Sequence, residues 1–524
     1  MSEPFRLTYA TMYDPPAHLH SSYDTAVANL KANLGKEYGM IIDGKERFAI
    51  KKTEDTSPID TSIVLGVFQS GTAQDSLDAI AAAQRAFKTW GRTPWQERIA
   101  LMRKAAALID ERIFHFGAVI SMEVGKNRME AMGDAAETAD LIRYACDQIE
   151  ANNGYTVEMG VDPLKGYQSR NVSVLRPYGV WVVISPFNFP CALTGGPAGA
   201  ALVAGNTLVM KPASDTVFTV RLLAECFRDA GLPDGVFNYV TGGGGTVGQA
   251  LIDSPDVAGI TFTGSYDIGM KIYRTYANGR YPRPTILEMG GKNPAIVSRH
   301  ADLDRATQGI IRSAFGLQGQ KCSAASRIFA EAPIYDELAA RLAEATSKLT
   351  VGDPTKRETF MGPVINQWAY NDFKAFNEDL SQHGRFLSGG HVLTEGDYAK
   401  GYFCTPTLAA DVPMSHPLWK QEMFLPITMI HKVESLEEAM GLANDVDYGL
   451  TAGFFGTSEE AEWFFEHIEA GVSYANRPQG ATTGAWPGFQ PFGGWKGSGS
   501  SGKNAGGVYY LPMYMHEQSR TVIA

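Results

Sequence analysis

Signatures of disulfides, structural zinc and nucleic-acid binding are all missing from this sequence. The five cysteines, at 146, 191, 226, 322 and 404, are odd in number and irregularly spaced, with no Cys-x-x-Cys pair. Neither a disulfide framework nor a metal site is expected, and free thiols in a reducing, cytoplasmic compartment fit best. Charge of one sign is nowhere concentrated: 46 Lys and Arg stand against 57 Asp and Glu, a net charge of −11 without a block of like charge. Phosphate backbones and anionic bilayers need clustered Lys and Arg, so neither nucleic acid nor a membrane is expected as a partner. The N-terminal MSEPFRLTYATMYDPP has no apolar core and no Arg-rich face, so no signal or transit peptide is expected. Only Val180 to Met210 is free of charge over a length that would span a bilayer, and Pro186, Pro190, Pro197, Asn188, Asn206 and four glycines interrupt it. A buried strand, loop and helix of an α/β sheet suits that stretch better.

What is present reads as an α/β protein. At 524 residues, 44% hydrophobic and 20% charged, the chain has room for two or three domains. Residues 75–125 read as helices. Thr93-Pro94-Trp95-Gln96 has the form of a capping box with proline at the first helical position, and Ile99, Met102, Ala106, Ile109 and Ile113 then share one face. A further helix is predicted over 128–150. Residues 155–175 are polar and alternate in places, which predicts a two-stranded ribbon leaving the main body and pairing with another subunit. Strands are predicted at Val180–Ser185, Thr207–Met210, Phe237–Val240 and Gly259–Thr263, alternating with helices as in a parallel doubly wound sheet. A second α/β pattern is predicted from Ile286–Glu288, Ala295–Val297, Arg327–Ala330 and a helix over 334–349.

Three side chains invite chemistry. Cys322 stands in Gln318-Gly319-Gln320-Lys321-Cys322-Ser323-Ala324-Ala325, among small residues that would expose a thiol. We expect it at the start of a helix, whose dipole would favour the thiolate; a small core cysteine is the alternative. Glu288 ends a β-like run among apolar neighbours, which would raise its pKa and suit it to general-base work, unless it pairs with Lys292. Asn188, held between aromatics and prolines in PFNFP, would offer its amide to an oxyanion or to local backbone. Two glycine turns follow strands. Gly243, Gly245 and Gly248 form a GxGxxG that a flexible turn would also match, and Gly264-Ser265 opens a turn whose N–H groups would face a pyrophosphate.

Together these motifs resemble the aldehyde dehydrogenase superfamily, over roughly 40–520. They are PFNFP at 186–190, KPAS at 211–214, FTGS at 262–265, LEMGGKN at 287–293, GQKCSAA at 319–325, Glu422-Met423-Phe424 and Pro491-Phe492-Gly493-Gly494. The resemblance implies a Rossmann-like cofactor domain (1–154 and 176–287), an α/β catalytic domain (288–498) and a small β bridging domain for oligomerisation (155–175 and 499–524). Homodimers or higher homo-oligomers are implied, with Tyr509, Tyr510, Leu511 and Met513 on an interface strand near 507–515. It implies Cys322 as nucleophile toward an aldehyde, Asn188 and the Cys322 N–H as oxyanion donors, and Glu288 as the base that activates water against the thioester. For an NAD cofactor it implies contacts from Ser185, Pro186, Lys211, Ser214, Gly244, Gly248, Gly264, Ser265, Glu422 and Phe424. Lys211 and Glu422 match ribose contacts, and Ser265 matches a pyrophosphate contact.

Within the family the chain looks most like the branch that oxidises glutamate γ-semialdehyde to glutamate in proline breakdown. Arg312–Phe315 running into GQKCSAASR, Glu123–Asn127 followed by Glu137, and Thr483-Gly484-Ala485 carry that likeness. It implies that Gly484, Ala485 and Ser323 hold the substrate α-carboxylate, that Glu137 receives the α-ammonium, and that Phe189 and Phe492 complete the substrate site. One anion site and one acidic partner suit a zwitterionic head. The sequence departs from the pattern in a longer loop at 477–487 with Trp486 and Pro487, in Leu425 for a glycine, and in Ser214 for a glutamate. The loop leaves another semialdehyde or an aliphatic aldehyde open as substrate. Ser214 removes a repulsion against a 2′-phosphate and leaves NADP open. A CoA-acylating relative would lack Glu288, and a non-enzymatic one would not need Cys322.

Overall fold

The structure, a computed structural model, describes residues 5–13 and 15–523. Positions 1–4 and 14 of the expected first segment, and 524 of the last, lie outside them. Parallel pairing accounts for the charge-free stretch: Val180–Ile184 and Thr207–Lys211 are adjacent parallel strands joined by the helix Ala192–Ala204. Both faces of such a sheet are covered, so its strands read as continuous apolar runs. The helix approaches its neighbour Arg128–Ala151 through glycine. A Cβ on Gly195, Gly196 or Gly199 would come within 2.3 to 2.7 Å of Thr138, Leu141 or Ile142.

These strands belong to a seven-stranded sheet in the order Thr285–Glu288, Gly259–Thr263, Val180–Ile184, Thr207–Lys211, Phe237–Tyr239, Met40–Ile42 and Lys45–Arg47. The first five are parallel, Met40–Ile42 joins antiparallel to them, and Lys45–Arg47 pairs antiparallel with Met40–Ile42. Chain order turns back on itself between Val180–Ile184 and Gly259–Thr263, which opens a crevice at their C-terminal ends. The second α/β unit starts later than expected, because Thr285–Glu288 pairs along its length with Gly259–Thr263 and closes the first sheet. The second seven-stranded sheet runs Arg385–Ser388, Thr407–Ala410, Ile427–Val433, Ala325–Glu331, Asn293–Val297, Thr451–Phe455, Val472–Ala475. Of these only Arg385–Ser388 is antiparallel.

Three helices, Ala73–Trp90, Trp95–Glu111 and Ile113–Val124, fill the expected helical region, and Arg128–Ala151 follows. The capping box at Thr93 does not form, because the Thr93 hydroxyl donates back to the Thr89 carbonyl of the preceding helix at 3.2 Å. A box forms instead at Thr72 and Asp75. The ribbon is three-stranded: Thr156–Glu158 and Met515–Ile523 flank Ser169–Pro177. The expected strand near 507–515 is a turn with a 3-10 segment at Leu511–Tyr514. Tyr510, Leu511 and Tyr514 are buried, with Tyr514 4.7 Å from the Trp181 ring and bonded to the Tyr510 hydroxyl at 2.8 Å. Those side chains fill their own core; Met513 is half-buried, and Tyr509 is the exposed member of the expected interface set. No helix among the described residues is long and apolar enough to cross a membrane.

Candidate active site

Cys322 lies in a turn between the 3-10 segment Gly316–Gly319 and the strand Ala325–Glu331. It is not at a helix start, so the expected dipole support is lost. Burial, and then the neighbouring Glu422 and Glu288, push its thiol upward. The turn is strained, with Leu317 at φ 49° and Gln318 at φ 56°. Gln318 holds it by donating Nε2 to the Gly125 and Pro363 carbonyls, each at 2.6 Å. Asn293 Nδ2 donates to the carbonyls of Cys322 (2.7 Å) and Ala324 (2.9 Å), while its Oδ1 accepts the Thr451 N–H at 3.0 Å. A Cβ on Gly291 would sit 2.3 Å from the Cys322 carbonyl oxygen. The LEMGGKN segment thus packs directly beneath the thiol turn. Sequence reading assigned nothing to Asn293, although an amide just after Gly-Gly-Lys is a signal for backbone bonding.

Glu288 ends the edge strand of the first sheet. Its Oε2 is buried without a hydrogen-bond partner, and burial raises its carboxyl to about 8. Lys292 Nζ is also buried and unpartnered, lowered to about 7 by burial, so the alternative Glu288–Lys292 pair does not form. Glu422 lies across the glycine pair: Gly291 N–H donates to it at 2.8 Å, and a Cβ on Gly290 would meet its Oε2 at 2.1 Å. Burial raises Glu422 to about 7. Asn188 is 2% exposed in the turn that follows Val180–Ile184.

The residues assigned to a cofactor gather at the C-terminal ends of adjacent parallel strands, except Glu422 and Phe424, which come from the second lobe. Ser185 and Pro186 follow Val180–Ile184; Lys211 ends the next strand, with exposed Ser214 beyond it; Gly244–Gly248 follows Phe237–Tyr239; Gly264 and Ser265 follow Gly259–Thr263. The donors fit a dinucleotide. Ser185 Oγ is buried without a partner, Gly244 and Gly245 face open space, and the Lys211 ammonium, lowered to about 8 by burial, bonds to the Pro212 carbonyl at 2.9 Å. A Cβ on Gly248 would touch the Lys211 stem at 3.4 Å. Phe424, at φ 57°, meets the Phe187 ring edge-on at 5.7 Å, and Leu425 is buried beside it. One expectation is corrected: the Gly264 N–H is bonded to the Glu288 carbonyl at 3.1 Å and does not face a pyrophosphate. Gly264 is needed sterically, since a Cβ there would lie 2.6 Å from the Phe262 ring. Ser265 stands at the N-cap of Tyr266–Ala277 with no side-chain cap bond.

A cavity of about 70 Å³ opens on Cys322, several times the space one water needs. Glu137, Phe189, Ser323, Gly484, Ala485 and Phe492 all line it. So do Gln479 and Thr483 of the long loop, and Tyr9, Met12, Tyr13, Leu193 and Lys321, which sequence reading missed. The long loop reaches the cavity because it is tied down. Thr482 donates its hydroxyl to the Ser323 carbonyl at 2.6 Å and its N–H to Ser313 Oγ at 3.0 Å. Gly484 takes φ 109°, and its carbonyl accepts from Arg477 at 2.9 Å. Trp486 does not itself line the cavity; its indole donates to Asp140 at 2.8 Å.

Beneath the cavity, Arg128–Ala151 carries Glu130, Asp134 and Glu137 on one face, at helical spacing. Lys321 pairs with Glu130 at 2.7 Å and Lys126 with Asp134 at 3.1 Å, both pairs almost wholly buried. Glu137 has no lysine: the Tyr9 hydroxyl donates to it at 2.6 Å, and burial raises its carboxyl to about 8.

The sequence matches the Aldehyde dehydrogenase family over residues 46–519. A 1-pyrroline-5-carboxylate dehydrogenase of Geobacillus sp. (strain WCH70) is 38% identical over 528 residues, covering 100% of this chain and 99% of that one. A structure of 1-pyrroline-5-carboxylate dehydrogenase from Thermus with bound NAD superimposes with a TM-score of 0.92 at 33% identity, covering 100% of both chains. Proline utilization A from Bdellovibrio bacteriovorus aligns with a TM-score of 0.90 at 34% identity, over 96% of this chain and 51% of that one, so this chain spans about half its length. With the family matched from 46 to 519 and a full-length relative at 38% identity, this chain belongs to the aldehyde dehydrogenase family.

Proposed function

We propose that the protein oxidises L-glutamate γ-semialdehyde to glutamate, with NAD as acceptor. The observation that carries this reading is the charge balance under the cavity: three carboxylates, of which Glu130 and Asp134 are buried and Glu137 is half-buried, face two lysines, and Glu137 is the one left over. An α-ammonium bound there completes the balance, since a buried carboxylate without a cation is costly. The N–H groups of Gly484 and Ala485 and the Ser323 hydroxyl take the α-carboxylate, while Phe189 and Phe492 flank the carbon chain. The relatives' names speak for the same substrate, because 1-pyrroline-5-carboxylate is the cyclised form of that semialdehyde.

The Cys322 thiol gives its proton to water and, as thiolate, bonds to the aldehyde carbon, while the carbonyl electrons move onto an oxyanion held by the Asn188 amide and the Cys322 N–H. A bound NAD would supply the two-electron oxidation, as acceptor of the adduct's hydride, that leaves a thioester. Glu288 takes a proton from water as it attacks the thioester carbon; the C–S bond breaks, and glutamate leaves with the thiolate restored. Ser185, Lys211, Ser265 and Glu422 hold the cofactor, with Pro186, Ser214, Gly244, Gly248, Gly264 and Phe424 shaping its cleft. NADP is a second reading, favoured by exposed Ser214, which puts no carboxylate where a 2′-phosphate would lie. The division into cofactor (1–154, 176–287), catalytic (288–498) and bridging (155–175, 499–524) parts is proposed with this function. So is a homodimer or a multiple of it through the ribbon, where Val157, Met159, Val161, Leu164 and Tyr167 are exposed. Five free thiols support a cytoplasmic location.

The test is a turnover screen of glutamate γ-semialdehyde against succinic semialdehyde and simple aliphatic aldehydes, with NAD and NADP in parallel. Highest kcat/KM for the amino-acid semialdehyde is expected; preference for an aliphatic aldehyde would overturn the substrate.

A further inference from the structure

The segment 5–13 carries no motif of the reaction, yet it roofs the cavity at Cys322. Leu7 and Met12 anchor it in the core. Arg6 pairs with Asp140 at 2.7 Å and lies 5.5 Å over the Phe489 ring, while Arg312 lies 3.6 Å over the ring of Tyr13. Tyr9 meets Trp486 edge-on at 5.1 Å and Phe189 at 6.1 Å. Its ring rests on Arg128–Ala151 at Gly133, where a Cβ would approach it to 3.0 Å. Asp140 joins the two halves of the roof, since it also accepts from Trp486 at 2.8 Å. The Trp486 insertion therefore acts as the abutment of this N-terminal segment, and the two are matched parts of one wall.

Resting on the reading of Glu137 as the ammonium site, we propose that residues 5–13 are a specificity strap and that Tyr9 is a positioning residue for α-amino aldehydes. Its hydroxyl takes Glu137 Oε2 and leaves Oε1 to the substrate's ammonium. A neutral donor is the right partner for this task. A lysine would cancel the charge the substrate needs, whereas a phenol steadies the carboxylate in burial without neutralising it. Burial and Glu137 hold the Tyr9 phenol well above its ordinary range, so it remains a donor. The other titratable groups facing Glu137 are Asp134 and Asp140 on its own helix, Lys126 from the preceding turn, and Tyr474.

The test compares glutamate γ-semialdehyde with 5-oxopentanoate, the same aldehyde acid without the amine, for the parent, Y9F, E137Q and the double variant. In the parent, the amino substrate should have the lower KM, with a KM that falls as pH rises and Glu137 loses its proton. Y9F should raise KM for the amino substrate about 10- to 100-fold, the scale of one hydrogen bond to a charged group, and should change kcat and the 5-oxopentanoate constants far less. It should also move the pH midpoint of that KM upward, and it should add nothing on the E137Q background. A Y9F enzyme with parental discrimination and midpoint overturns the proposal. So does equal loss on both substrates, or a full Y9F effect without Glu137. A parent that does not distinguish the two aldehydes overturns the ammonium site itself, and the strap's role with it.

Discussion

The Asn293 amide donates to the Cys322 carbonyl at 2.7 Å, so the segment that leaves Glu288 also sets the backbone of Cys322. N293A should lower kcat about 10- to 100-fold with little change in KM, because a slight misplacement of the reacting atom is expensive in rate. Steady-state kinetics beside an unchanged circular dichroism spectrum check it.

The proposed nucleophile, Cys322, and the proposed base, Glu288, would act in successive steps and should separate in the transient phase. C322A should form no NADH. E288Q should release a burst of about one NADH per site and then slow by about 10²- to 10⁴-fold, as the thioester waits for an activated water. Stopped-flow absorbance reads both, and unchanged turnover in either variant sinks the mechanism.

Glu288 has a carboxyl raised to about 8 by burial, which fixes two pH signs. As a base it works deprotonated, so kcat should rise with pH through about 8. For stability the order reverses. The folded state keeps a proton that the unfolded chain releases lower on the scale, so this group's contribution falls as pH rises toward 8. The Tm advantage of E288Q over the parent should therefore grow between about pH 5 and about pH 8.5 in thermal melts.

Gly484 stands at φ 109°, where a Cβ would also lie 2.7 Å from Arg477 Nη2. G484A should strain the loop by about 1–3 kcal/mol and raise KM for the amino-acid semialdehyde more than it lowers kcat. Denaturant melts and substrate titrations check the two halves.

Ser214 is exposed beyond Lys211, so a glutamate fits there without disturbing the core. S214E should keep NAD turnover and lower kcat/KM for NADP by about tenfold or more, since a carboxylate repels the 2′-phosphate. Parallel assays with the two cofactors read it.

Local chemistry was legible where neighbours in sequence are neighbours in space. The strand ends at Ser185, Lys211 and Ser265, the isolation of Glu288 and the βαβ pattern all follow from short stretches of chain. Sequence reasoning misplaced Cys322 at a helix start and set Ile286–Glu288 in the wrong sheet, because both depend on which strand lies alongside. The aromatic run at 509–513 looked like an interface; Tyr510 and Leu511 belong instead to the core built around Trp181 and Tyr514. The spacing of Glu130, Asp134 and Glu137 was visible as one helix face, but not which two of them the lysines would neutralise.

The amino-acid order alone determined the candidate parts of the site: a thiol among small residues, a carboxylate among apolar ones, an amide held between prolines, and glycine turns at strand ends. Each is a property of a few adjacent residues. The tertiary structure decided what those parts can receive. Tyr9 meets Glu137 across 128 positions, and Trp486 meets Asp140 across 346. Contacts at that separation come from packing whole elements together, which no local pattern encodes. Those contacts leave one carboxylate without a lysine beneath the thiol, and so set the charge of the cavity that opens on it.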